Sequence, residues 1–157
     1  MKIRLISIGK PHEKYIKEGV EDFTGRISKY FKIEWTIIAP LKNAASLSEA
    51  ELKKQESEIV LQQLNDEDYL VLLDERGKNI SSVELSDLLQ KRANDSTKNV
   101  VFLIGGAFGV HENITKRANF TWSLSKLVFP HMLVRLILAE QVYRACTILR
   151  NEKYHHL

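Results

Sequence analysis

Three of the seven glycines in this 157-residue chain lie within five positions, at Gly105, Gly106 and Gly109. They follow an apolar run of five residues and precede His111 and Glu112. Glycine beside a strand costs conformational entropy and gives up side-chain packing. Such a cluster is typical either of a tight turn between a strand and a helix or of a loop whose backbone lies against a ligand.

Several common ligand-binding and catalytic motifs are absent from the sequence. The order G-G-x-x-G differs from the dinucleotide fingerprint G-x-G-x-x-G, and residues 123–127 contain no acid. The two Gly-Lys pairs are followed by Pro11 and Asn79 rather than by serine or threonine, so neither starts a phosphate-binding loop. No G-x-S-x-G nucleophile motif occurs. Both interpretations of the glycine cluster therefore remain open at this point.

The cysteine and histidine residues predict no metal site. Cys146 is the only cysteine, which excludes an intramolecular disulfide and a Cys-rich zinc site. It lies among apolar residues in a helical pattern, so we expect a buried thiol. His155 and His156 are adjacent, with no further ligands at suitable spacing. His131 follows a proline at a predicted helix start and is, on its own, typical of a structural histidine.

Five apolar runs predict β-strands, over residues 2–9, 32–39, 68–74, 99–105 and 120–125. The runs over 68–74 and 99–105 are nearly continuous, which suits strands covered on both faces of a parallel sheet. Helical patterns alternate with the strands. The sequence therefore predicts an α/β fold, a single domain over 1–157 with a mostly parallel sheet flanked by helices.

Five segments predict helices. They are residues 16–30, a largely exposed helix from the capping-box spacing at 48–51 to about 65, helices beginning near 81–82 and 112, and the last helix over 131–150. The last helix is apolar almost all the way round, so it must be buried on more than one side. We expect one side to face the core and another to face a second copy of the chain.

Three loops follow predicted strands and could meet at one edge of the sheet, at 73–77, 104–109 and 124–131. Open parallel sheets bind ligands beyond the carboxyl ends of their strands. Loops of this composition suit a compact, largely uncharged ligand that is held by backbone amides and carbonyls.

Composition and charge indicate a soluble globular protein, with 44% hydrophobic and 27% charged residues. No secretory leader is recognisable, and the longest apolar stretch, 127–139, is too short and too polar to span a bilayer. We therefore expect a cytoplasmic protein without membrane contact.

The basic residues are concentrated near the C-terminus. Residues 113–157 carry seven Lys/Arg and two Asp/Glu, a net charge of +5, whereas the rest of the chain carries a net charge of −2. This end would attract a polyanion such as RNA, although an ordinary solvated basic surface has the same composition.

Three segments together carry a family resemblance. They are LIGGAFG at 103–109, SLSKLVFPHMLVRLILAEQVYRA at 123–145, and a short tail that ends in YHHL. The chain resembles the ribosomal RNA large subunit methyltransferase H family of SPOUT-class enzymes over essentially its whole length. The resemblance implies a C-terminal trefoil knot, S-adenosylmethionine as methyl donor without a metal, and an obligate homodimer. It also implies a substrate, a pseudouridine of large-subunit rRNA near the decoding centre of the ribosome, methylated at N3.

The resemblance further implies a cofactor pocket lined by one residue after the third strand, the glycine segment and the loop before the last helix. These residues are Leu73, Gly105, Gly106, Gly109, Leu124, Ser125, Lys126, Leu127, Val128 and Phe129. The glycines would let the backbone pass close to S-adenosylmethionine. Main-chain hydrogen bonds between apolar side chains can hold an adenine ring.

The implied reaction assigns roles to the basic end of the chain. Because the methyl donor is already activated, the protein must mainly align the nucleophile. N3 carries a proton and lies on the pairing edge, so the base must be unpaired, as in an RNA loop. We expect His155 and Tyr154 to approach the target base and Arg144 to neutralise a phosphate or the developing anion. Arg135 and His131 would shape the site. The sequence does not identify the general base, and disorder is the alternative for the tail.

Three other functions are compatible with these residues. The first is a SPOUT-like methyltransferase that acts on another RNA such as tRNA, which assays of ribosomes against tRNA would distinguish. The second is a non-catalytic nucleotide- or RNA-binding α/β module, which need not recognise S-adenosylmethionine in a titration. The third is a small flavodoxin-like protein, against which the absence of a yellow chromophore would count.

Overall fold

Strands and helices alternate along the chain in the computed structural model, which describes residues 1–156. The strands are β1 (Lys2–Ile8), β2 (Lys32–Ile38), β3 (Tyr69–Asn79), β4 (Asn99–Ile104) and β5 (Phe120–Ser123). The helices are α1 (Lys14–Ile27), α2 (Glu49–Gln62), α3 (Ser82–Asn94), α4 (Glu112–Arg117) and α5 (His131–Leu149). A short 3-10 turn, Ala44–Ser46, precedes α2. The predicted strands and helices are all present, with shifted bounds.

The five strands form one sheet in the order β2-β1-β4-β3-β5, and every neighbouring pair is parallel. The predicted α/β fold with a parallel sheet is thereby confirmed. In the central strand β4, Phe102 pairs with Leu5 on one side and with Val71 on the other. Because all strands run the same way, their carboxyl ends meet at one edge of the sheet.

The segment at 73–77, predicted to be a loop, is part of a strand, so this prediction is wrong. β3 continues to Asn79 and pairs with β5 across a register shift between Leu73 and Lys78. A Cβ atom at Gly77 would lie 2.6 Å from the carbonyl oxygen of Thr121. Glycine therefore permits the close approach of the two backbones that extends β3 along β5.

Helices cover both faces of the sheet. On one face, residues of α1, α3 and α5 pack with the sheet in a core that includes Ile27, Leu85, Leu138 and Cys146. On the other face, Val60 of α2 and Ile114 of α4 join a second core with β1, β3 and β4. The prediction that Cys146 is a buried thiol is confirmed, and burial raises the pKa of this thiol to about 12.

The position of α5 explains much of its apolar circumference within one chain. It packs against α1, where the position of a Cβ at Gly19 is 2.7 Å from Leu136, and against α3, where Ser82 donates a hydrogen bond to Gln141. The apolar composition alone therefore does not require a second copy. Four half-buried residues, spaced as one helical face, lie opposite the core side of α5. This outer stripe comprises Leu133, Ile137, Glu140 and Arg144.

The capping box predicted at the start of α2 forms only in part. Ser48 accepts a hydrogen bond from the backbone N–H of Glu51, but Glu51 does not return one, so the predicted reciprocal capping box is incomplete. A complete capping box forms instead between Ser81 and Glu84 at the start of α3. The single-domain organisation over 1–157 and the trefoil knot stay predictions, and Leu157 lies outside the described residues.

Candidate active site

A cavity of about 840 Å³ lies at the edge where β3, β4 and β5 meet the loops that follow them. Its walls contain most of the residues that the family resemblance assigns to a cofactor pocket. These are Leu73, Gly105, Gly106, Gly109, Leu124, Ser125, Leu127, Val128 and Phe129. His131 also lines it, whereas the exposed Lys126 does not. Three separate stretches of chain thus converge on one cavity.

The glycine segment forms a tight turn in the wall of this cavity. The N–H of Gly109 donates to the carbonyl oxygen of Gly106 at 3.0 Å, and Gly109 has φ +86°, a left-handed conformation that favours glycine. A Cβ at Gly105 would lie 2.8 Å from a methyl carbon of Val110. A Cβ at Gly106 would lie 2.9 Å from the carboxylate of Glu56. Both interpretations of the glycine cluster are therefore compatible, since the turn itself faces the cavity.

The mouth of the cavity is apolar. Phe108, Leu127 and Val128 line it and remain 54%, 70% and 84% exposed. Apolar side chains gathered at a concave surface are typical of a binding site for a ligand or a partner.

Charged groups lie on the side of the cavity formed by β3. Arg76 donates to both carboxylate oxygens of Asp74, and this hydrogen bonding lowers the pKa of Asp74. Lys53 of α2 also lines the cavity. Asp74 and Arg76 belong to the segment at 73–77, which the sequence analysis expected to contribute to a ligand site, whereas it did not assign Lys53 of α2 to the site.

Arg135 lies one helical turn from His131 but is not part of the cavity wall. It is only 1% exposed, and it donates to the Ser7 hydroxyl at 3.0 Å and to the Lys10 carbonyl at 2.8 Å. A third contact joins it to Nδ1 of His12 at 3.2 Å. Within residues 1–156 no carboxylate forms a salt bridge with it. Arg135 thus ties the loop after β1 to α5.

The surroundings of the two histidines near Arg135 favour the neutral imidazole over the charged one. Burial lowers the pKa of His131, and the positive charge of Arg135 lowers it further. The same two causes, in the same order, lower the pKa of His12. Neutral His12 can accept the hydrogen bond from Arg135, which a charged imidazole could not.

The tail packs against the other end of α5. The ring of Tyr154 lies 4.7 Å from that of Tyr143 and 4.8 Å from the guanidinium of Arg144. Its hydroxyl donates to Glu140 at 3.0 Å, and Nη1 of Arg144 lies 3.3 Å from Nδ1 of His155. The structure thus brings Tyr154, His155 and Arg144 together in an ordered cluster, contrary to the alternative of a disordered tail.

This tail cluster and the cavity lie far apart within one chain. His131 is at the first position of α5, and Arg144 lies thirteen residues further along the same helix. At a rise of 1.5 Å per residue, the separation along the helix axis is about 20 Å. The residues predicted to contact the RNA base therefore do not meet the residues predicted to hold the cofactor of the same chain.

Comparison with known proteins places nearly the whole chain in one family. A family model described as a predicted SPOUT methyltransferase matches residues 1–155. The chain belongs to the SPOUT methyltransferase family. Membership of this family, expected from the sequence, is thus confirmed.

Individual relatives agree with the family match over their full length. A Flavobacterium johnsoniae protein named ribosomal RNA large subunit methyltransferase H is 47% identical over 156 residues, which cover 99% of both chains. A Clostridium botulinum protein of the same name is 39% identical over 158 residues, again 99% of both chains. The structure of a probable methyltransferase from Bordetella pertussis superposes with a TM-score of 0.57 at 12% identity, over 92% of this chain and 93% of that one, which shows a shared fold.

Glu140 is the residue at the tail cluster that the sequence analysis missed. Its Oε1 accepts from Tyr154 and from Nε of Arg144 at 3.0 Å each, and its Oε2 accepts from Gln141 at 2.7 Å. The spacing of Glu140 and Arg144, four residues apart on one helix, is the signal that could have identified the pair. Its contact with Tyr154 depends on how the tail turns back, which no local pattern indicates.

Two further features bear on the kind of site. Within residues 1–156, no three His, Cys, Asp or Glu side chains gather as a metal ion would require. No helix in that part of the chain has the length and apolar composition of a membrane span.

Proposed function

We propose that this protein is an S-adenosylmethionine-dependent methyltransferase that methylates N3 of a pseudouridine in large-subunit rRNA. We further propose that it acts as a homodimer on the assembled ribosome in the cytoplasm. The observation that carries the proposal is the convergence of the glycine turn, Leu73 and the 124–129 loop on one cavity. The names of relatives at 39–47% identity over 99% of the chain support it.

The cavity is suited to S-adenosylmethionine. Its volume of about 840 Å³ falls in the range of about 300–1,000 Å³ that is usual for small-molecule sites. The glycine turn brings main-chain groups to its wall, and Leu73, Leu124 and Phe129 supply apolar surface for a ring. When bound, S-adenosylmethionine supplies a methyl group activated on a sulfonium. The chain has to bind it, exclude water and align the acceptor atom with the methyl carbon.

The charge of residues 113–157 supports RNA as the partner. Their net charge of +5 contrasts with −2 in the rest of the chain. Phosphate contacts made by such residues release counterions, so binding to the ribosome should weaken as the salt concentration rises.

The length of α5 supports a site built from two copies. His131 in the cavity wall and Arg144 in the tail cluster are about 20 Å apart along α5 of one chain. This separation favours a site in which a base bound at the tail of one copy meets the methyl donor in the cavity of another. An exposed apolar rim at the cavity, including Leu127 and Val128, offers surface for such contact. In a symmetric dimer the two copies would form two such composite sites.

Mass mapping of large-subunit rRNA tests the proposal. Cells that lack the protein should lose one methyl group on one pseudouridine, and a plasmid copy of the unchanged gene should restore it. Purified protein with S-adenosylmethionine should methylate ribosomes from the deficient cells but not tRNA. An unchanged rRNA methylation pattern in the deficient cells would refute the function, and methylation of tRNA would support the alternative substrate.

A further inference from the structure

The two ring nitrogens of His155 have different surroundings. Nδ1 faces a guanidinium N–H of Arg144 at 3.3 Å, whereas Nε2 is buried and has no hydrogen-bond partner among residues 1–156. A guanidinium can only donate, so Nδ1 must accept, and the proton of the neutral ring lies on Nε2. His155 therefore carries an N–H donor that the described part of the chain leaves without an acceptor.

Tyr154, the neighbouring residue, offers a hydrogen-bond acceptor where His155 offers a donor. Its hydroxyl donates to Glu140 at 3.0 Å, because an ionised carboxylate can only accept. The tyrosine oxygen can therefore still accept a hydrogen bond from another partner through its lone pairs. Arg144 holds both residues, since it contacts His155, binds Glu140 and lies under the ring of Tyr154.

The hydrogen-bonding character of this pair, one donor and one acceptor, is complementary to that of the pairing edge of a uracil-type ring. On that edge the N3–H group is a donor and the carbonyl oxygens on either side are acceptors. The corresponding edge of cytosine has an unprotonated N3 beside an amino group, so its polarity is reversed. Unpaired bases in RNA are commonly recognised through hydrogen bonds to this edge.

We propose, on the basis of the proposed function, that His155 donates from Nε2 to a carbonyl oxygen beside N3 and is not the base that removes the N3 proton. That proton passes to the oxygen of Tyr154 while the hydroxyl proton of Tyr154 passes to Glu140. The N3 electron pair forms the bond to the methyl carbon, the bond between that carbon and sulfur breaks, and its electron pair goes to sulfur. Arg144 is a positioning residue, because it fixes the tautomer of His155.

The position of the tail allows this contact. Burying a hydrogen-bond donor without an acceptor costs free energy. A carbonyl oxygen that bonds to Nε2 would remove this cost. The tail follows α5 through turns at 150–151 and 153–154, and chain ends of this kind move more readily than the helix before them. A shift of the tail can therefore uncover Nε2 while α5 remains intact.

Nitrogen NMR on the isolated protein tests the tautomer without RNA. Long-range ¹H–¹⁵N correlations distinguish a histidine ring protonated on Nε2 from one protonated on Nδ1. We expect His155 in the Nε2–H form at pH 8, and a mixture of both forms in the Arg144→Ala variant. A dominant Nδ1–H form in the unchanged protein would overturn the proposal, whatever the substrate is.

Two substitutions of His155 separate donation from proton removal. The amide nitrogen of Gln reaches the position of Nε2 and can donate but cannot act as a base, whereas that of Asn reaches only the position of Nδ1. In single-turnover methylation of ribosomes, we expect His155→Gln to lower the rate by about tenfold or less and His155→Asn by about a hundredfold or more. Equal losses in the two variants would overturn the donor role.

The pH dependence of a Glu140→Gln variant tests the route of the proton. Without its carboxylate, the rate should fall by about a hundredfold at pH 7. It should then recover by about tenfold per pH unit as N3 begins to ionise unaided, which a purely structural loss would not do. A low rate that does not respond to pH would overturn the route. If the unchanged protein methylates no large-subunit rRNA, the proposed function fails, and the NMR spectrum still decides the tautomer.

Discussion

Gly105 is the residue at which the cavity wall leaves least room for a side chain. A Cβ there would lie 2.8 Å from Val110, whose side chain is itself buried. Its φ angle is not in the left-handed region, which among the described glycines is occupied only by Gly9 and Gly109. The obstacle to a side chain at Gly105 is therefore steric and does not arise from a strained backbone.

The Gly105→Val variant should lose S-adenosylmethionine affinity because its side chain displaces Val110 and the glycine turn. We expect calorimetry to show binding by the unchanged protein and at least about tenfold weaker binding by the variant. Gly25→Val on the exposed side of α1, where a Cβ meets no atom within 4 Å, is the matched control. Equal affinity in the unchanged protein and the Gly105→Val variant would remove this turn from the cofactor site.

Glu56 is a buried carboxyl group behind the glycine turn, and burial raises its pKa. A raised pKa in the folded state means that its contribution to stability is fully present below the unfolded value near 4.5 and is lost as pH rises through the folded value. The ionised form of Glu56, which forms no salt bridge among residues 1–156, is therefore less stabilising than the protonated form.

The Glu56→Gln variant should consequently be more stable than the unchanged protein at pH 7.5. Its advantage should shrink as pH falls toward 4.5, since Glu56 is then protonated in the unchanged protein as well. Thermal unfolding at several pH values measures this, with the exposed Glu58→Gln as control. If the gain in thermal stability of Glu56→Gln does not vary with pH, the charge of Glu56 is not the cause of that gain.

At the scale of elements, the tail is joined to α5 by a few contacts that the helix does not need. Removal of Tyr154 and the residues after it leaves the pair between Glu140 and Arg144 in place. A chain that ends at Lys153 should keep its fold and its affinity for S-adenosylmethionine, yet lose methyl transfer by about a hundredfold or more.

Single-turnover methylation of ribosomes and calorimetry together measure this separation. A chain that ends at His155 is the matched control and should retain turnover. Arg144→Ala should also lower turnover, although part of its loss would come from the missing contact between the guanidinium and the ring of Tyr154. If the chain that ends at Lys153 turns over near the unchanged rate, the tail has no part in the site.

Elements that depend on local apolar patterns could be predicted from the sequence, and those that depend on tertiary contact could not. The run at 99–105 specifies β4 because nearly every residue in it is buried. The polar residues at 74–79 give no strand signal, yet they extend β3 because Gly77 lets it lie against Thr121. Tertiary pairing outweighs local propensity there.

The same division holds for the candidate site. The glycine segment could be predicted to form part of the cavity wall. Three glycines beside a strand are expected where the backbone turns tightly or must pass close to other atoms. The burial of Arg135 beneath the loop after β1 has no signal in its own segment, where it interrupts an apolar run. Glu56 likewise reaches the glycine turn from a helix that precedes it by some fifty residues.

At the scale of the whole molecule, the outer stripe of α5 offers a surface for a second copy. Leu133 and Ile137 on this stripe are apolar and half-buried, and neither belongs to the packed cores. We expect a dimer at micromolar concentration by light scattering. Ile137→Glu should yield monomer or aggregate, because a charge would be desolvated at the interface, whereas Gln90→Glu on the exposed side of α3 should not. A monomeric unchanged protein would refute the dimer.

The length of α5 has a genetic consequence. If each composite site takes its cavity from one copy and its tail from the other, two differently damaged chains can complement each other. Gly105→Val mixed with the chain that ends at Lys153 would form heterodimers in which one site is wholly intact and the other doubly damaged. Random pairing makes half of the dimers mixed, so about a quarter of the normal number of sites should return. A rate of methyl transfer by the refolded mixture well above the rate of either variant alone would measure this rescue. Each α5 would then contribute its N-terminal end to one composite site and its C-terminal end to the other.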